Sequence, residues 1–474
     1  MPREFQQDGE IAFSGFNSFP NSAAFEQGKG TLEMCENMRI DAGVMRPRLG
    51  ALKVKDSFVT DVAYAATART NNGDRLYVFQ ADGVVKSLDL SNPTSSPTTI
   101  SGVRQFNKVS GQGYNALAAV EAAQTANWSG ATEFSSACNV VERLAYAKND
   151  QIWFTTYGGV QPYNPDTVSL VLNTHDAIQK LHFSSVTRRL YAFGSSSIYE
   201  IEPNLSVSGS VDGKPNEQFF HKVKLLSAQE GIASPDTVDE TNGNILWLNN
   251  GGINKIELGK GMVEGELPIT IPVHDIFGGR DHSDMYTSSA VAFGGRYYLA
   301  YPEVGTLDCR QILVVNTALA SVFESVDRYP FVIKHLVKGR DESGVLHAYA
   351  VTPSGTIYKL ESNANDDGTA ITSKFRTRNY NFKTDMNKRY DAVCVRLDTK
   401  GSASVETRFI TENPDSTNVI DTFTGNLGTA VRRGLAAKNS VGGKIEVIVT
   451  SGRPHFYGCS VDATVAGRSL FNIL

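Results

Sequence analysis

The chain has 474 residues, of which 41% are hydrophobic and 20% charged, with 45 Lys and Arg against 50 Asp and Glu. This composition is that of a folded globular protein and excludes a disordered or collagen-like chain, while the length exceeds the roughly 250–300 residues at which single cores stop growing. A net charge of −5 gives no general attraction to nucleic acid or acidic lipid, and no apolar run is long enough for a membrane-spanning helix.

Residues 1–50 are expected to form an extended arm that is too short to fold alone. The polar start, MPREFQQDGE, lacks the apolar stretch of a secretory signal and fits no transit peptide. The apolar residues of the arm therefore need burial on the C-terminal domain or against another subunit. The candidates for an intersubunit arm are Phe13, Phe16, Phe19 and Met34.

Residues 51–362 show hydrophobic periodicity of two, which indicates β-strands, with one helix expected at Tyr114–Ala126. Pairs of apolar strands joined by short turns recur every 46 to 68 residues, as β-propeller blades do. The sequence therefore predicts a β-propeller of about six blades, with Leu246, Trp247, Tyr297 and Tyr298 in its core. The six pairs begin at Arg75, Arg143, Arg189, Asn244, Arg296 and Leu346.

The polar stretch ESNANDDGTA at 361–370 marks a boundary, after which longer alternating strands predict a C-terminal β-sandwich over residues 371–474. From residue 370 onward the chain has 15 Lys and Arg and 9 Asp and Glu, a net +6. The remainder has 30 against 41, a net −11. The protein is thus an acidic body with a basic end, and the fold class is all-β.

A basic cluster near the start of the sandwich is interleaved with aromatic residues. Such a pattern suits either a phosphate backbone with stacked bases or a subunit interface or solvated face. Both interpretations remain open from the sequence. The candidates for DNA or subunit-interface contacts are Lys374, Arg376, Arg378, Lys383, Lys388 and Arg389.

Motifs for catalysis, metals or cofactors are weak. The spacing of His274, Asp275, Asp281, His282 and Asp284 matches no metal motif. The acids Asp236, Asp239 and Glu240 could serve glycoside hydrolysis only if facing elements brought carboxylates together.

Cys459 follows His455 in a strand-like run that favours packing. The five cysteines are single and odd in number, as expected for free thiols in a reducing cytosol. The sequence predicts no enzyme, metal or cofactor.

The segment GTLEMCENMRIDAGVMRPRLG at 30–50 resembles the N-terminal segment of tailed-phage structural proteins. In plan, with an arm, a propeller and a C-terminal β-domain closed by KIEVIVTSGRPHFYGCSV, the chain is similar to the tail nozzle (packaged-DNA stabilisation, tail-tube) family of short-tailed bacteriophages. The specific resemblance covers about forty residues, none of them catalytic.

The resemblance implies a virion protein, made in the host cytoplasm, that forms a homo-hexameric ring below the head-to-tail connector and closes the DNA channel. Its implied partners are sibling subunits, the tail adaptor or portal assembly, tail fibres or spikes, and genomic DNA in transit. The alternative is a glycan-binding or glycan-cleaving propeller, such as a receptor-recognition protein. A cytosolic peptide-binding propeller explains neither the arm nor the basic last domain.

Overall fold

The described part of the chain consists mainly of β-strands joined by turns, which confirms the all-β prediction. The computed structural model describes residues 5–7, 13, 15–16, 31–70, 73–100, 135–140, 143–154, 169–171, 176–203, 222–228, 231–258, 274–277, 282–318, 322–380, 387–412 and 415–465. The helix predicted at Tyr114–Ala126 lies outside these residues. Within them, regular helix is limited to α1 (His274–Phe277) and two 3-10 segments, Pro235–Thr237 and His282–Thr287. No helix in this part of the chain has the length and apolar character that crossing a bilayer requires.

The N-terminal segment supplies six strands, and it passes through both bodies of the molecule. Its last strand joins the propeller, whereas the earlier strands join the C-terminal domain. The six are β1 (Phe5–Gln7), β2 (Gly15–Phe16), β3 (Thr31–Glu36), β4 (Met38–Asp41), β5 (Val44–Pro47) and β6 (Gly50–Lys55).

The first three propeller blades are four-stranded antiparallel sheets. Blade 1 contains β7 (Val62–Thr70), β8 (Gly73–Gln80), β9 (Val85–Asp89) and β10 (Thr98–Ile100). Blade 2 contains β11 (Ser136–Val140), β12 (Arg143–Lys148), β13 (Gln151–Phe154) and β14 (Ser169–Val171). Blade 3 contains β15 (Ile178–Ser184), β16 (Arg189–Gly194), β17 (Ile198–Glu202) and β18 (Lys222–Ser227).

Three further blades follow in the same order along the chain. Blade 4 contains β19 (Asp239–Thr241), β20 (Asn244–Asn249) and β21 (Gly252–Glu257). Blade 5 contains β22 (Ser289–Phe293), β23 (Arg296–Pro302), β24 (Cys309–Asn316) and β25 (Val322–Ile333). Blade 6 contains β26 (His335–Arg340), β27 (Leu346–Val351) and β28 (Ile357–Asn363), and β6 completes it.

Two features hold the propeller together: an N-terminal strand completes its last blade, and apolar side chains pack between neighbouring blades. Strand β6, from before blade 1, pairs with β28 of blade 6, so the start and the end of the propeller share one sheet. Buried side chains form common clusters between blades 6 and 1, 5 and 6, 2 and 3, and 3 and 4. In the last of these, Phe193 and Trp247 pack with ring centroids 5.5 Å apart. A blade cannot bury both faces alone, so this stacking supplies its stability.

The C-terminal domain is a sandwich of two sheets, here called the platform. Its first sheet has the order β3-β29-β34-β31-β32, and its second has the order β33-β30-β35-β5-β4, with β1 pairing to β35. The N-terminal strands therefore sit within both sheets. The platform's own strands are β29 (Ser373–Thr377), β30 (Lys388–Asp398), β31 (Ala403–Glu412), β32 (Asp415–Gly425), β33 (Thr429–Ser440), β34 (Gly443–Ser451) and β35 (His455–Val465).

Propeller and platform share a sheet as well as a core. Strand β25 of blade 5 pairs in parallel with β3, which makes blade 5 and the first platform sheet one ten-stranded sheet. A single buried cluster runs from Leu246 and Tyr297 in the propeller to Phe375 and Phe456 between the platform sheets. Leu246, Trp247, Tyr297 and Tyr298 are each at most 3% exposed, as predicted for core residues.

Candidate functional site

Acidic side chains of the same chain meet the predicted basic cluster on the outer face of the first platform sheet. Lys374 in β29 lies 3.4 Å from Glu36, and Arg376 donates to Glu446 at 2.6 Å. The two acids belong to β3 and β34, which flank β29, and each stands opposite its cation in register. Cross-strand neighbours of opposite charge stabilise a sheet. These two cations are therefore already partnered within the chain.

The pairing continues across neighbouring strands as an ion-pair ladder. Its members are partly shielded, and the side chain of Glu446 is only 6% exposed, so the ladder is worth more than isolated surface pairs. It occupies the basic face with carboxylates that compete with any phosphate. Besides the two pairs above, the ladder contains Arg376–Glu33 (3.9 Å), Lys444–Glu33 (2.8 Å), Arg328–Glu36 (3.7 Å), Arg408–Glu446 (3.6 Å) and Arg408–Glu406.

The remaining members of the predicted basic cluster are dispersed. Burial lowers the pKa of Arg378, just beyond β29. Lys383 lies outside the described residues. Lys388 is 1% exposed, and its Nζ donates to a backbone carbonyl at 2.6 Å. Arg389 is exposed in β30 and pairs with Asp391 at 2.9 Å. The five described members of the cluster therefore do not form one surface.

The predicted intersubunit arm reaches the platform of its own chain where it is described. Phe13 is 5% exposed and packs edge-on against Phe375, with ring centroids 5.3 Å apart. Phe16 lies in β2, whose backbone pairs in parallel with β3. Met34 is half-buried in β3, and Phe19 lies outside the described residues. Phe13 thus finds its burial inside the subunit.

Three acids from one short segment converge on the innermost strands of the propeller. Asp236 lies in a 3-10 segment, and Asp239 and Glu240 begin blade 4. Each acid faces a basic side chain from another blade. The pairs are Asp236–His335 at 3.6 Å, Asp239–Lys338 at 2.7 and 2.9 Å, and Glu240–His182 at 3.3 Å.

Side chains of one blade also bond the backbone edge of the next blade at these innermost strands. Such edges leave donors and acceptors without a strand partner, and these contacts satisfy them. Asp239 thereby carries a backbone bond in addition to its ion pair. The contacts are Leu181 N to Ser136 Oγ (2.9 Å), Ala292 N to Asp239 Oδ2 (2.7 Å), Leu336 N to Ser289 Oγ (2.9 Å), Arg340 N to Asp74 Oδ2 (2.8 Å), Thr67 Oγ1 to the Lys338 carbonyl (2.5 Å) and His335 Nε2 with the Ala63 carbonyl (3.1 Å).

The axial acids have the environment of structural groups. Glycoside hydrolysis needs two carboxyl groups on opposite sides of the bond to be cleaved, one held as the acid. Here the three carboxylates come from residues 236–240; Asp239 pairs with Lys338, and Asp236 and Glu240 each lie beside a histidine ring nitrogen. On this geometry the three acids make polar contacts between blades, of which Asp239–Lys338 is an ion pair.

Of the other sequence candidates for chemistry, the side chains of His274, Asp275, Asp281 and His282 lie outside the described residues. Among the described side chains, no three His, Cys, Asp or Glu residues are placed to hold a metal ion. Cys459 is 3% exposed in the platform core, whereas His455 is half-buried in the same strand. All five cysteines are free thiols. Burial raises the pKa of the Cys138 thiol to about 12, which suppresses its reactivity.

A buried polar joint between propeller and platform was not predicted from the sequence. Arg39 bonds Asp327 of blade 5 and Glu361 of blade 6, and Arg48 donates to Asp366 at 2.9 and 2.6 Å. Both arginines are at most 3% exposed. Although burial acts to lower it, Asp327 and Glu361 hold the pKa of Arg39 well above its ordinary value. Removing one member would leave a buried charge uncompensated.

The same joint has an outer rim around Arg296 of β23. Its guanidinium donates to Glu324 at 2.6 Å and to Asp41 at 2.6 Å, so blade 5 is tied to β4. Burial opposes ionisation of Asp41, but the bond from Arg296 prevails and lowers the pKa of that carboxyl. The signal for this joint lies in RIDAGVMRPR, where arginines interrupt a strand pattern.

No family model matches the chain, and no curated protein matches it. Among solved structures it is similar to BBS1N in complex with ARL6DN, at 13% identity over 67% of this chain and 99% of that one, with a TM-score of 0.32. It is also similar to a glycoside hydrolase family 43 arabinoxylan arabinofuranohydrolase from Bacillus subtilis, at 10% identity over 85% and 95%, with a TM-score of 0.26. A structure titled glycoside hydrolase matches at 11% identity over 87% and 99%, with a TM-score of 0.27. At these values the likeness carries no functional argument.

Proposed function

We propose that the protein is a non-enzymatic structural component of a virion, a tail nozzle subunit that assembles as a ring and encloses a DNA channel. The observation that carries the proposal is the buried joint of Arg39 and Arg48 together with the ten-stranded sheet. Domains of one chain usually meet through small interfaces and move relative to one another. A shared sheet and buried ion pairs instead make propeller and platform one stiff wall, as a tube needs.

Two further features support a structural role. Near the propeller axis, Asp239 pairs with Lys338 and accepts a hydrogen bond from the backbone of Ala292, and Glu240 contacts His182, so these acids take part in blade packing. The acidic remainder of the chain, at −11, repels phosphates and lets DNA pass without being held. The resemblance of residues 30–50 to tailed-phage structural proteins supports placing this structural role in a virion tail.

The test is native mass spectrometry and negative-stain microscopy of the full chain, alone and with a candidate tail adaptor. We expect closed rings, with hexamers the expected species, that bind the adaptor. Particles that stay monomeric with and without adaptor would contradict the proposal.

A glycan-cleaving propeller remains the second candidate, because Asp236, Asp239 and Glu240 lie together at the inner strands. It predicts release of reducing sugars from cell-surface polysaccharide, abolished by Asp239→Asn or Glu240→Gln. The structural proposal predicts no such activity in the parent protein.

A further inference from the structure

One surface of the platform combines exposed apolar side chains with positive charge. This platform patch consists of Arg396, Leu427, Val431 and Arg433. Val431 is 62% exposed and Leu427 38% exposed. Val431 of β33 stands opposite Arg396 of β30, and Arg433 follows two residues later with a side chain that is 62% exposed. Mixed apolar and arginine surfaces of this kind are typical of protein–protein contacts.

One turn of the propeller carries the complementary combination. This blade-5 turn joins β23 to β24 and consists of residues 303–308. Val304 is 73% exposed, the highest value among the large hydrophobic side chains of the described residues, and Leu307 is 52% exposed. Glu303 and Asp308 bracket them; the Asp308 side chain is 55% exposed and lies 3.7 Å from Arg310, whose side chain is 44% exposed. The turn therefore presents two apolar side chains between two acids.

Both surfaces are held in shape by hydrogen bonds. In the turn, Glu303 N donates to the Asp308 carbonyl at 3.2 Å. In the patch, Leu427 N donates to Thr399 Oγ1 at 2.9 Å, and Arg433 pairs with Asp462 at 3.0 Å. Rigid surfaces lose little conformational entropy on binding, so exposed apolar groups on them favour association.

The distribution of charge along the chain indicates which partner each surface binds. Residues 370–474 carry +6 and the rest carries −11, so two copies attract when the platform of one faces the propeller of the other. Contacts between like surfaces, patch to patch or turn to turn, are disfavoured by repulsion. A second copy of the chain therefore offers each surface its complement.

We propose that the platform patch binds the blade-5 turn of a second copy of this chain. The contact is head-to-tail, because each copy contributes a different surface, and such contacts generate rings when the rotation closes. The proposal rests on the proposed function and gives that ring its subunit interface.

The experiment compares ring formation by native mass spectrometry for full-length variants whose folding is checked by circular dichroism. Val431→Glu places a negative charge opposite the acidic turn, and Val304→Lys places a positive charge opposite the basic patch. Each change alone is expected to lower the fraction of rings at least tenfold. Both changes in one chain place Glu opposite Lys at every contact and should restore rings. Val186→Lys, at a blade-3 position that is 69% exposed, is the matched control and should assemble normally.

The outcomes separate this interface from the proposed function. If the parent protein forms rings and either single variant still does so, or the double variant does not recover, the assigned interface is wrong while the ring stands. If the parent protein forms no ring with or without adaptor, both the proposed function and the interface fail.

Discussion

The side-chain carbonyl of Asn37 accepts a hydrogen bond of 3.0 Å from Nε of Arg48. The same oxygen accepts a bond of 2.9 Å from the backbone N–H of Arg328 in blade 5, and Nδ2 donates to the Thr372 carbonyl at 2.8 Å. Asn37 has a φ of 55°, a left-handed conformation that asparagine tolerates better than most residues. This one side chain thus connects the N-terminal segment, the propeller and the entry to the platform.

Replacing Asn37 should therefore have two separable costs. Asn37→Ala is expected to lower the free energy of unfolding by about 3 kcal/mol, because it leaves buried donors without an acceptor and puts alanine at positive φ. Asn37→Gly should recover about 1 kcal/mol, since glycine adopts that φ without strain. Urea denaturation followed by tryptophan fluorescence measures both values, and equal losses would show that the backbone conformation costs nothing.

Gly50 starts the strand that completes blade 6, and it leaves no room for a side chain. A Cβ there would lie 2.0 Å from the carbonyl oxygen of Asn365. Gly50→Ala should separate β6 from the end of β28 and cost more than about 3 kcal/mol, in the range of severe core changes. Gly305→Ala is the control, because its φ is 75° but nothing lies within 4 Å, so strain alone of about 1 kcal/mol is expected. Thermal unfolding compares them, and similar losses would rule out the close approach as the cause.

The propeller could be predicted because its signal is local. Each blade repeats alternating strands around tight turns, such as the one at Gly252, and burial of Trp247 and Tyr297 follows from that alternation. The use of β6 in blade 6 could not be predicted, because β6 and β28 are neighbours only in the folded chain. Likewise, the sequence leaves open whether the arm packs on the C-terminal domain or on another subunit, and it does not show that β3 pairs with β29.

The partners of the charged residues could not be predicted from the sequence either, because these partners are neighbours only in the folded chain. Arg39 meets Asp327 and Glu361 across 288 and 322 residues of chain, and a lone arginine in a sequence is normally read as surface. Arg376 looked open to DNA because Glu446, its partner, lies 70 residues away. Patterns with periods of two or 3.6 report which face a side chain occupies, and they do not report its distant partners.

Asp327 should be the most sensitive acid in the joint. Asp327→Asn leaves the buried guanidinium groups of Arg39 and Arg48 without a full counter-charge, and we expect a loss of about 3–5 kcal/mol. Asp421→Asn breaks a pair with Arg432 whose side chains are 18% and 33% exposed, and it should cost below about 1 kcal/mol. Chemical denaturation at one pH measures both, and comparable losses would mean that the joint is not a stabilising centre.

His455 should make stability depend on pH. Burial, and next the positive charges of Arg46 and Lys400, lower the pKa of His455 below that of the unfolded chain. The stability that neutral His455 contributes is therefore complete above its pKa in the unfolded chain, about 6.5. It is lost as the pH falls through the lower pKa of the folded state. His455→Gln should therefore reduce the dependence of the free energy of unfolding on pH between about pH 7.5 and about pH 5. Parallel denaturation curves for the two proteins across this range would contradict the assignment.

The ion-pair ladder should mask a surface that otherwise binds polyanions. Glu33→Gln, Glu36→Gln and Glu446→Gln together remove the carboxylates that face Lys374, Arg376 and Lys444, so the variant should elute from heparin at clearly higher salt than the parent. The control replaces Asp56, Glu202 and Glu257 with amides, which gives the same net charge of −5 + 3 = −2 by changes in the propeller and outside the blade-5 turn. If both triple variants shift equally, retention follows net charge and the ladder masks nothing. A shift confined to the ladder variant would show that Lys374 and Arg376 are withheld from phosphates by their own chain.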